Sequence, residues 1–143
     1  MGIALGANVG ERGEVRGDPP MNTKLLVVED EKVVSTYFKT YFGKVGFEVD
    51  VAASGEEARA LLASGAKYDL VLLDLVLPDV IGLELLREMK AQDPIRPVIV
   101  VTGVPPDEEI VTECKAAGAD SYVPKRSTID QLLMHVNRSL RRI

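Results

Sequence analysis

The residues best suited to chemistry are acidic side chains that directly follow short apolar runs. Glu29-Asp30-Glu31 comes after Leu25-Leu26-Val27-Val28, and Asp74 comes after Leu70-Val71-Leu72-Leu73. A buried carboxylate is costly unless it is paired or binds a metal, so the position of Asp74 favours a functional role. Glu29-Asp30-Glu31, taken alone, is better explained by capping of the helix that follows, since acidic residues favour the first helical turn.

Two more polar residues follow later apolar segments. Thr102 comes after Val98 to Val101, and Lys125 comes after the predicted strand Ser121-Tyr122-Val123. Taken alone, Thr102 is equally well explained as a β-branched strand residue, and Lys125 as a solvated lysine. Taken together with the acids, they describe a phosphoryl-transfer site with a carboxylate nucleophile, a metal, a cation and a hydroxyl donor around one transferred group.

The clustered acids predict a divalent cation. Without one, repulsion among Glu29, Asp30 and Asp74 would raise their pKa values and destabilise the site. Mg²⁺ takes oxygen ligands in octahedral geometry and commonly binds through one or two carboxylates together with phosphate oxygens. We therefore expect Mg²⁺ at this site, with these three side chains as ligands.

The elements that must position these residues are predicted by an apolar pattern that changes type repeatedly. Continuous apolar runs indicate strands buried on both faces, whereas Phe47, Val49 and Val51 alternate with acids, as in a strand at a sheet edge. The count is five strands alternating with five helices. Such alternation predicts an α/β fold with a parallel sheet and helices on both faces, where ligands bind beyond the carboxyl ends of the strands.

Several helix ends are marked by residue type. Gly46 lies near the predicted end of the first helix. Ser54, with Glu57 three residues later, predicts a capping box at the start of the second helix. Ser127 or Thr128 can cap the last helix.

Composition bounds the class of protein. A chain of 143 residues with 46% apolar and 27% charged residues is typical of one globular domain. A net charge of -5 disfavours direct binding to nucleic acid. No apolar run approaches the roughly 20 residues of a membrane span, and no signal-peptide order is present. With the lone Cys114, these features predict a cytoplasmic protein without direct membrane contact.

The first segment differs in composition from the rest. Residues 1–21 are rich in glycine and end near Asp18-Pro19-Pro20, so we expect a flexible N-terminal leader there. The domain itself is predicted over residues 22–143.

Four separated motifs resemble the receiver domain of two-component response regulators, over roughly residues 23 to 141. They occur in the expected order and are the following: Leu25-Leu26-Val27-Val28-Glu29-Asp30-Glu31; Asp69 to Pro78 with Gly82 to Leu86; Pro97 to Thr102; and Ala117 to Lys125. The resemblance implies a flavodoxin-like (βα)5 fold, doubly wound, whose five-stranded parallel sheet has the order 2-1-3-4-5.

The resemblance also implies roles for individual residues. Asp74 would accept a phosphoryl group from the phosphohistidine of a sensor histidine kinase or a phosphotransfer protein. The metal ligands Glu29, Asp30 and Asp74 would be joined by the backbone carbonyl of Val76. The remaining two roles belong to Thr102, which would contact the phosphoryl oxygens, and to Lys125, which would pair with the acyl phosphate.

Tyr122 matches the aromatic residue that turns inward when the threonine moves, although packing at a strand edge also explains a tyrosine there. Arg126 departs from the family pattern because it stands where proline usually follows the lysine. The family's lysine-proline peptide is commonly cis, and a cis bond before a non-proline residue costs about 3 to 4 kcal/mol. The state of the Lys125–Arg126 peptide is therefore open.

Little sequence follows the last predicted helix, so we expect the protein to act through contacts. Phosphorylation would shift a two-state equilibrium of the surface formed by helix 4, strand 5 and helix 5, and so change the affinity for a downstream protein partner. We expect a monomer or weak homodimer, and a phosphoacceptor that assists its own phosphorylation and dephosphorylation instead of an enzyme. The alternatives are a scaffold that takes no phosphate and a small phosphohydrolase with an aspartyl nucleophile, for which Val76 replaces the usual second aspartate.

Overall fold

The computed structural model describes residues 23–141, so the predicted leader and residues 142–143 lie outside the described residues. Five strands and five helices alternate along this part of the chain. Their bounds are β1 (Lys24–Val28), α1 (Lys32–Val45), β2 (Glu48–Ala52), α2 (Gly55–Ala63), β3 (Leu70–Leu73), α3 (Gly82–Gln92), β4 (Val98–Thr102), α4 (Glu108–Ala116), β5 (Ser121–Pro124) and α5 (Ile129–Leu140).

The strands form one parallel sheet in the order β2-β1-β3-β4-β5, which confirms the predicted fold class. Every residue of β3 and β4 is buried, as the continuous apolar runs predicted. β2 lies at an edge of the sheet, and there Glu48 is exposed while Val49 is buried. Its alternating pattern therefore arises because one part of the strand faces water.

Each face of the sheet packs against its own set of helices. Successive side chains of a strand point to opposite faces, so Leu25 and Val27 of β1 join one core cluster, whereas Leu26 and Val28 join the other. The first cluster includes Phe42 from α1 together with buried residues of α5. The second cluster contains buried residues of α2, α3 and α4. These two layers hold the sheet from both sides and fix the positions of its strand ends.

Local signals set the helix ends. Gly46 follows α1 with a left-handed φ of 116°, a conformation that costs glycine little. Thr128 forms a full capping box with Gln131 at α5. Ser54 caps α2 by accepting from the Glu57 amide, but the predicted reciprocal bond is wrong, because the Glu57 carboxylate accepts from the amide of Ala53 instead.

The helices within residues 23–141 are too short or too polar to span a lipid bilayer.

Candidate functional site

The acids after β1 and β3 lie side by side at the carboxyl edge of the sheet. These strands are neighbours, and their register pairs Val28 with Leu73, so the residues that follow are brought together. Glu29, Asp30 and Asp74 each offer a carboxylate oxygen, and these oxygens lie within 4.8 Å of one another. Glu29 is 2% and Asp74 3% exposed, whereas Asp30 is open to solvent. The predicted acidic cluster is therefore formed.

Lys125 reaches this cluster from the end of β5, two strands away from β3. Its amide donates to the carbonyl oxygen of Thr102 at 2.8 Å, which continues the β4–β5 pairing and fixes where the side chain starts. Its Nζ then lies 2.9 Å from Oδ2 of Asp74 and 3.1 Å from Oε1 of Glu29. The alternative of a solvated lysine is wrong for Lys125, since its side chain is only 20% exposed and pairs with buried acids.

Glu31 is a member of the site that the predicted set of site residues omitted. Its Oε1 lies 2.6 Å from Nζ of Lys125, although its side chain is 61% exposed. At the start of α1, Glu31 occupies the N-cap position without a side-chain capping bond. Glu29 accepts from the Glu31 amide at 2.9 Å instead. Capping of α1 is therefore the wrong explanation for Glu31, because its side chain contacts Lys125 instead.

The electrostatics follow from burial and from the shared lysine. Burial raises the pKa of Glu29 above its ordinary value. The hydrogen bonds from the Glu31 amide and from Lys125 oppose this rise, and the negative charge of Asp74 adds to it. Burial alone would lower the pKa of Lys125, but its bonds to Glu31, Asp74 and Glu29 outweigh burial and raise that pKa. Lys125 is therefore a stable cation in a region that stays rich in negative charge.

The donor set fits a hard divalent cation. All three clustered ligand atoms are carboxylate oxygens, which such cations prefer, and their spacing brings them within reach of one ion. The buried carboxylates of Glu29 and Asp74 share the single ammonium group of Lys125, so a bound cation would further reduce their mutual repulsion. The cluster can therefore hold a metal ion, and the carbonyl of Val76 remains a predicted further ligand.

Thr102 and Tyr122 meet at one residue of the loop between β4 and α4. Oγ1 of Thr102 accepts from the Val104 amide at 3.3 Å, and the hydroxyl of Tyr122 donates to the Val104 carbonyl at 2.7 Å. Thr102 is fully buried, and half-buried Tyr122 packs against the second core cluster. This arrangement connects the end of β4, beside the acidic cluster, with the segment that leads into α4.

The peptide between Lys125 and Arg126 is trans, because no cis peptide bond occurs among the described residues.

His135 is partly buried, with Nδ1 3.2 Å from Oγ of Ser121, and burial lowers its pKa. These contacts give His135 a structural role in the packing of α5 against β5.

Known proteins resemble this chain in both sequence and fold. The family model described as "Response regulator receiver domain" matches residues 25–137. The two-component response regulator PhoP of Pseudomonas aeruginosa is 39% identical over 119 residues, which are 83% of this chain and 52% of that protein. The transcriptional regulatory protein CusR of Escherichia coli is 36% identical over the same shares.

A solved structure of the BeF3-activated DrrB receiver domain is 34% identical, with a TM-score of 0.76, and the match covers 85% of this chain and 100% of that one. The chain spans about half the length of the curated relatives it matches.

Proposed function

Since the chain belongs to the response regulator receiver domain family, we propose that Asp74 is the residue on which it stores a signal as a phosphoryl group. The observation that carries the proposal is the contact of Lys125 Nζ with Asp74 Oδ2 at 2.9 Å, inside the group of acids that can hold a metal. Asp74 is thereby a nearly buried carboxylate with a cation beside it and further oxygen ligands within reach. A nucleophile for phosphoryl transfer needs this environment.

The proposed metal is Mg²⁺, held by the carboxylates of Glu29, Asp30 and Asp74 and by the carbonyl of Val76. When bound, it neutralises negative charge on the phosphoryl oxygens. A carboxylate oxygen of Asp74 attacks phosphorus, the bond from phosphorus to the donor imidazole breaks, and the electron pair leaves with the imidazole of the partner kinase or phosphotransfer protein. The ammonium group of Lys125 and the hydroxyl of Thr102 orient the transferred group.

The proposed output is a change of the surface formed by α4, β5 and α5. Support comes from Val104, which Thr102 and Tyr122 both contact and which lies in the loop before α4. A shift of Thr102 towards a phosphoryl group would remove the bond from the Val104 amide and so alter the start of α4. A downstream protein that binds one arrangement more tightly would then report phosphorylation.

The proposal is confined to the domain described. The relative CusR is called a transcriptional regulatory protein, and this chain matches about half of it. We retain the predictions of no direct nucleic-acid contact and of a monomer or weak homodimer for residues 23–141 alone.

The test is incubation with acetyl phosphate and Mg²⁺, followed by intact mass, for the wild type, Asp74→Asn and a control. The control is Asp107→Asn, because Asp107 caps α4 and lies outside the acidic cluster. We expect the wild type and the control to gain one phosphoryl group, and Asp74→Asn to gain none. No gain in the wild type would overturn the proposal and favour the scaffold alternative. Sustained release of phosphate from many free phosphomonoesters would favour the phosphohydrolase instead.

A further inference from the structure

The loop of residues 75–81, between Asp74 and α3, is folded back on itself. Oδ1 of Asp74 accepts from the Val76 amide at 3.1 Å, and Val76 forms an antiparallel bridge with Ile81. A Cβ on Gly82 would lie 2.3 Å from the carbonyl oxygen of Leu75, so the end of the loop lies directly against its beginning. The position of Val76 therefore depends on the whole loop.

The same loop is tied to another helix by one carboxylate. Oδ1 of Asp79 accepts from the Gly55 amide at 2.8 Å, and Oδ2 accepts from the Glu56 amide at 2.9 Å. Both amides lie in the first turn of α2, where backbone donors have no partner within the helix and a negative charge is favourable. The hydroxyl of Ser54 accepts from the amide of Glu57. The side chains of Ser54 and Asp79 together therefore satisfy the backbone donors of Gly55, Glu56 and Glu57 at this helix end.

Close packing accompanies these hydrogen bonds. A Cβ on Gly55 would lie 2.3 Å from Cγ2 of Val80, which shows that the tip of the loop rests on the start of α2. The amides of Glu56 and Gly55 also lower the pKa of Asp79, so this carboxylate stays charged at neutral pH. The loop thus has one anchor at Asp74 and a second at α2.

We propose that Asp79 is a positioning residue that fastens the loop to α2 and so holds the backbone of Val76 where the metal site needs it. This inference rests on the proposed function, because it assigns Asp79 to the proposed metal ligand at Val76. Asp79 is not one of the three acids whose oxygens cluster for a metal. Its loss leaves the carboxylates of Glu29, Asp30 and Asp74 in place and frees the loop to sample other arrangements.

The experiment separates this role from simple helix capping. Asp79→Ala removes both hydrogen bonds between loop and helix, whereas Ser54→Ala removes a cap from the same helix end and leaves those two bonds intact. For both variants and the wild type, Mg²⁺ affinity is measured by titration calorimetry, and thermal unfolding is measured without Mg²⁺. Amide shifts of Val76 and Leu77 without Mg²⁺ report the loop directly.

We expect Asp79→Ala to bind Mg²⁺ about tenfold more weakly, the lower end of the usual cost of losing a residue that holds a metal ligand in place. Ser54→Ala should bind as the wild type does, although its unfolding temperature falls. The amides of Val76 and Leu77 should shift in Asp79→Ala and stay unchanged in Ser54→Ala. If Asp79→Ala does not fold, Asp79→Asn, which retains one acceptor, should give a smaller loss in the same direction.

Unchanged Mg²⁺ affinity in a folded Asp79 variant would overturn the inference, as would an equal loss in Ser54→Ala. A wild type that binds Mg²⁺ and gains a phosphoryl group while Asp79→Ala behaves identically rejects the role of Asp79 alone. A wild type that does neither rejects the proposed function and this inference with it.

Discussion

Lys125 sets the charge balance of the site because its Nζ contacts carboxylates of Glu29, Glu31 and Asp74. Two of these acids are nearly buried, so removal of the lysine leaves negative charge in a region that water reaches poorly. A bound divalent cation supplies positive charge at the same place. The lysine and the metal are therefore expected to compensate partly for each other.

Lys125→Ala should lower the free energy of unfolding by about 3 kcal/mol without Mg²⁺, as breaking a buried ion pair does. Millimolar Mg²⁺ should restore part of this loss, and urea unfolding with and without Mg²⁺ measures both effects. The control is Lys90→Ala, since Lys90 pairs with Asp120 at 3.5 Å outside the site. The decrease in the free energy of unfolding of Lys90→Ala should be independent of Mg²⁺. A Lys125→Ala protein as stable as the wild type in metal-free buffer would contradict the assigned charge balance.

Glu31 should slow the uptake of phosphoryl groups because it competes for Lys125 and repels anionic donors. Glu31→Gln should react with acetyl phosphate roughly two- to fivefold faster, since an exposed ion pair is worth up to about 1 kcal/mol. The initial rate of phosphorylation measures this effect. Glu88→Gln is the control, because Glu88 pairs with Arg59 away from the site, and it should react at the wild-type rate. A slower reaction of Glu31→Gln would mean that Glu31 supports the active position of the lysine.

The roles of the site residues differ in how far sequence alone could predict them. Asp74 stands out because it follows four apolar residues of a buried strand, which is a local signal. Glu31 does not, because helix capping explains an acid before a helix equally well. Its actual partner is Lys125, 94 positions away in sequence. Only the arrangement of the strands shows that these two side chains meet.

At the scale of elements, the loop from β3 to α3 has little steric freedom. Gly82 must lack a side chain, since a Cβ would collide with the backbone of Leu75 at 2.3 Å. Gly43, within α1, has no heavy atom within 4 Å of a built Cβ. The two glycines therefore provide a matched pair for the same substitution.

Gly82→Ala should destabilise the protein by about 1 to 3 kcal/mol, because backbone must move to admit the methyl group. Gly43→Ala should stabilise it by roughly 0.5 to 1 kcal/mol, because alanine favours a helix more than glycine does. Chemical denaturation measures both changes. Equal effects of the two substitutions would contradict the close approach at Leu75.

Element types were predictable from sequence, whereas several contacts between elements were not. The periodicity of apolar residues distinguishes the buried strands from the helices, and Thr128 and Gly46 mark helix ends through local chemistry. Asp79 looks like any acid in a turn. Its bonds to Gly55 and Glu56 join segments more than 20 residues apart, and no local pattern reports them.

At the scale of the whole molecule, alternation of strands and helices predicts a parallel sheet but leaves the strand order undetermined. The order β2-β1-β3-β4-β5 was implied by the resemblance to receiver domains, and the structure has it. This order places β1 and β3 side by side, with β4 and β5 following. It therefore brings acids and lysine to one edge and puts the proposed output surface beside them.

The proposed output surface of α4, β5 and α5 predicts a long-range response to a phosphoryl mimic. Beryllofluoride with Mg²⁺ should shift backbone amides of Val104 and of α4, β5 and α5, whereas amides of the edge strand β2 should shift little. Two-dimensional NMR spectra with and without the mimic measure this contrast. In Thr102→Ala, which lacks one contact to the mimic, beryllofluoride should bind more weakly, and the shifts in α4 should be smaller even at saturation. Unchanged amides across α4, β5 and α5 in the wild type would contradict the proposed output surface.

The central claim is that the carboxylate of Asp74 accepts the phosphoryl group, and chemical trapping tests this claim most directly. Borohydride reduces an aspartyl phosphate to homoserine with release of phosphate, and it leaves free carboxylates unchanged. After treatment with acetyl phosphate and Mg²⁺, peptide mass mapping should find homoserine at position 74, and chelation of Mg²⁺ should abolish it. Homoserine at position 30, or no reduced residue in protein that remains folded, would contradict the account.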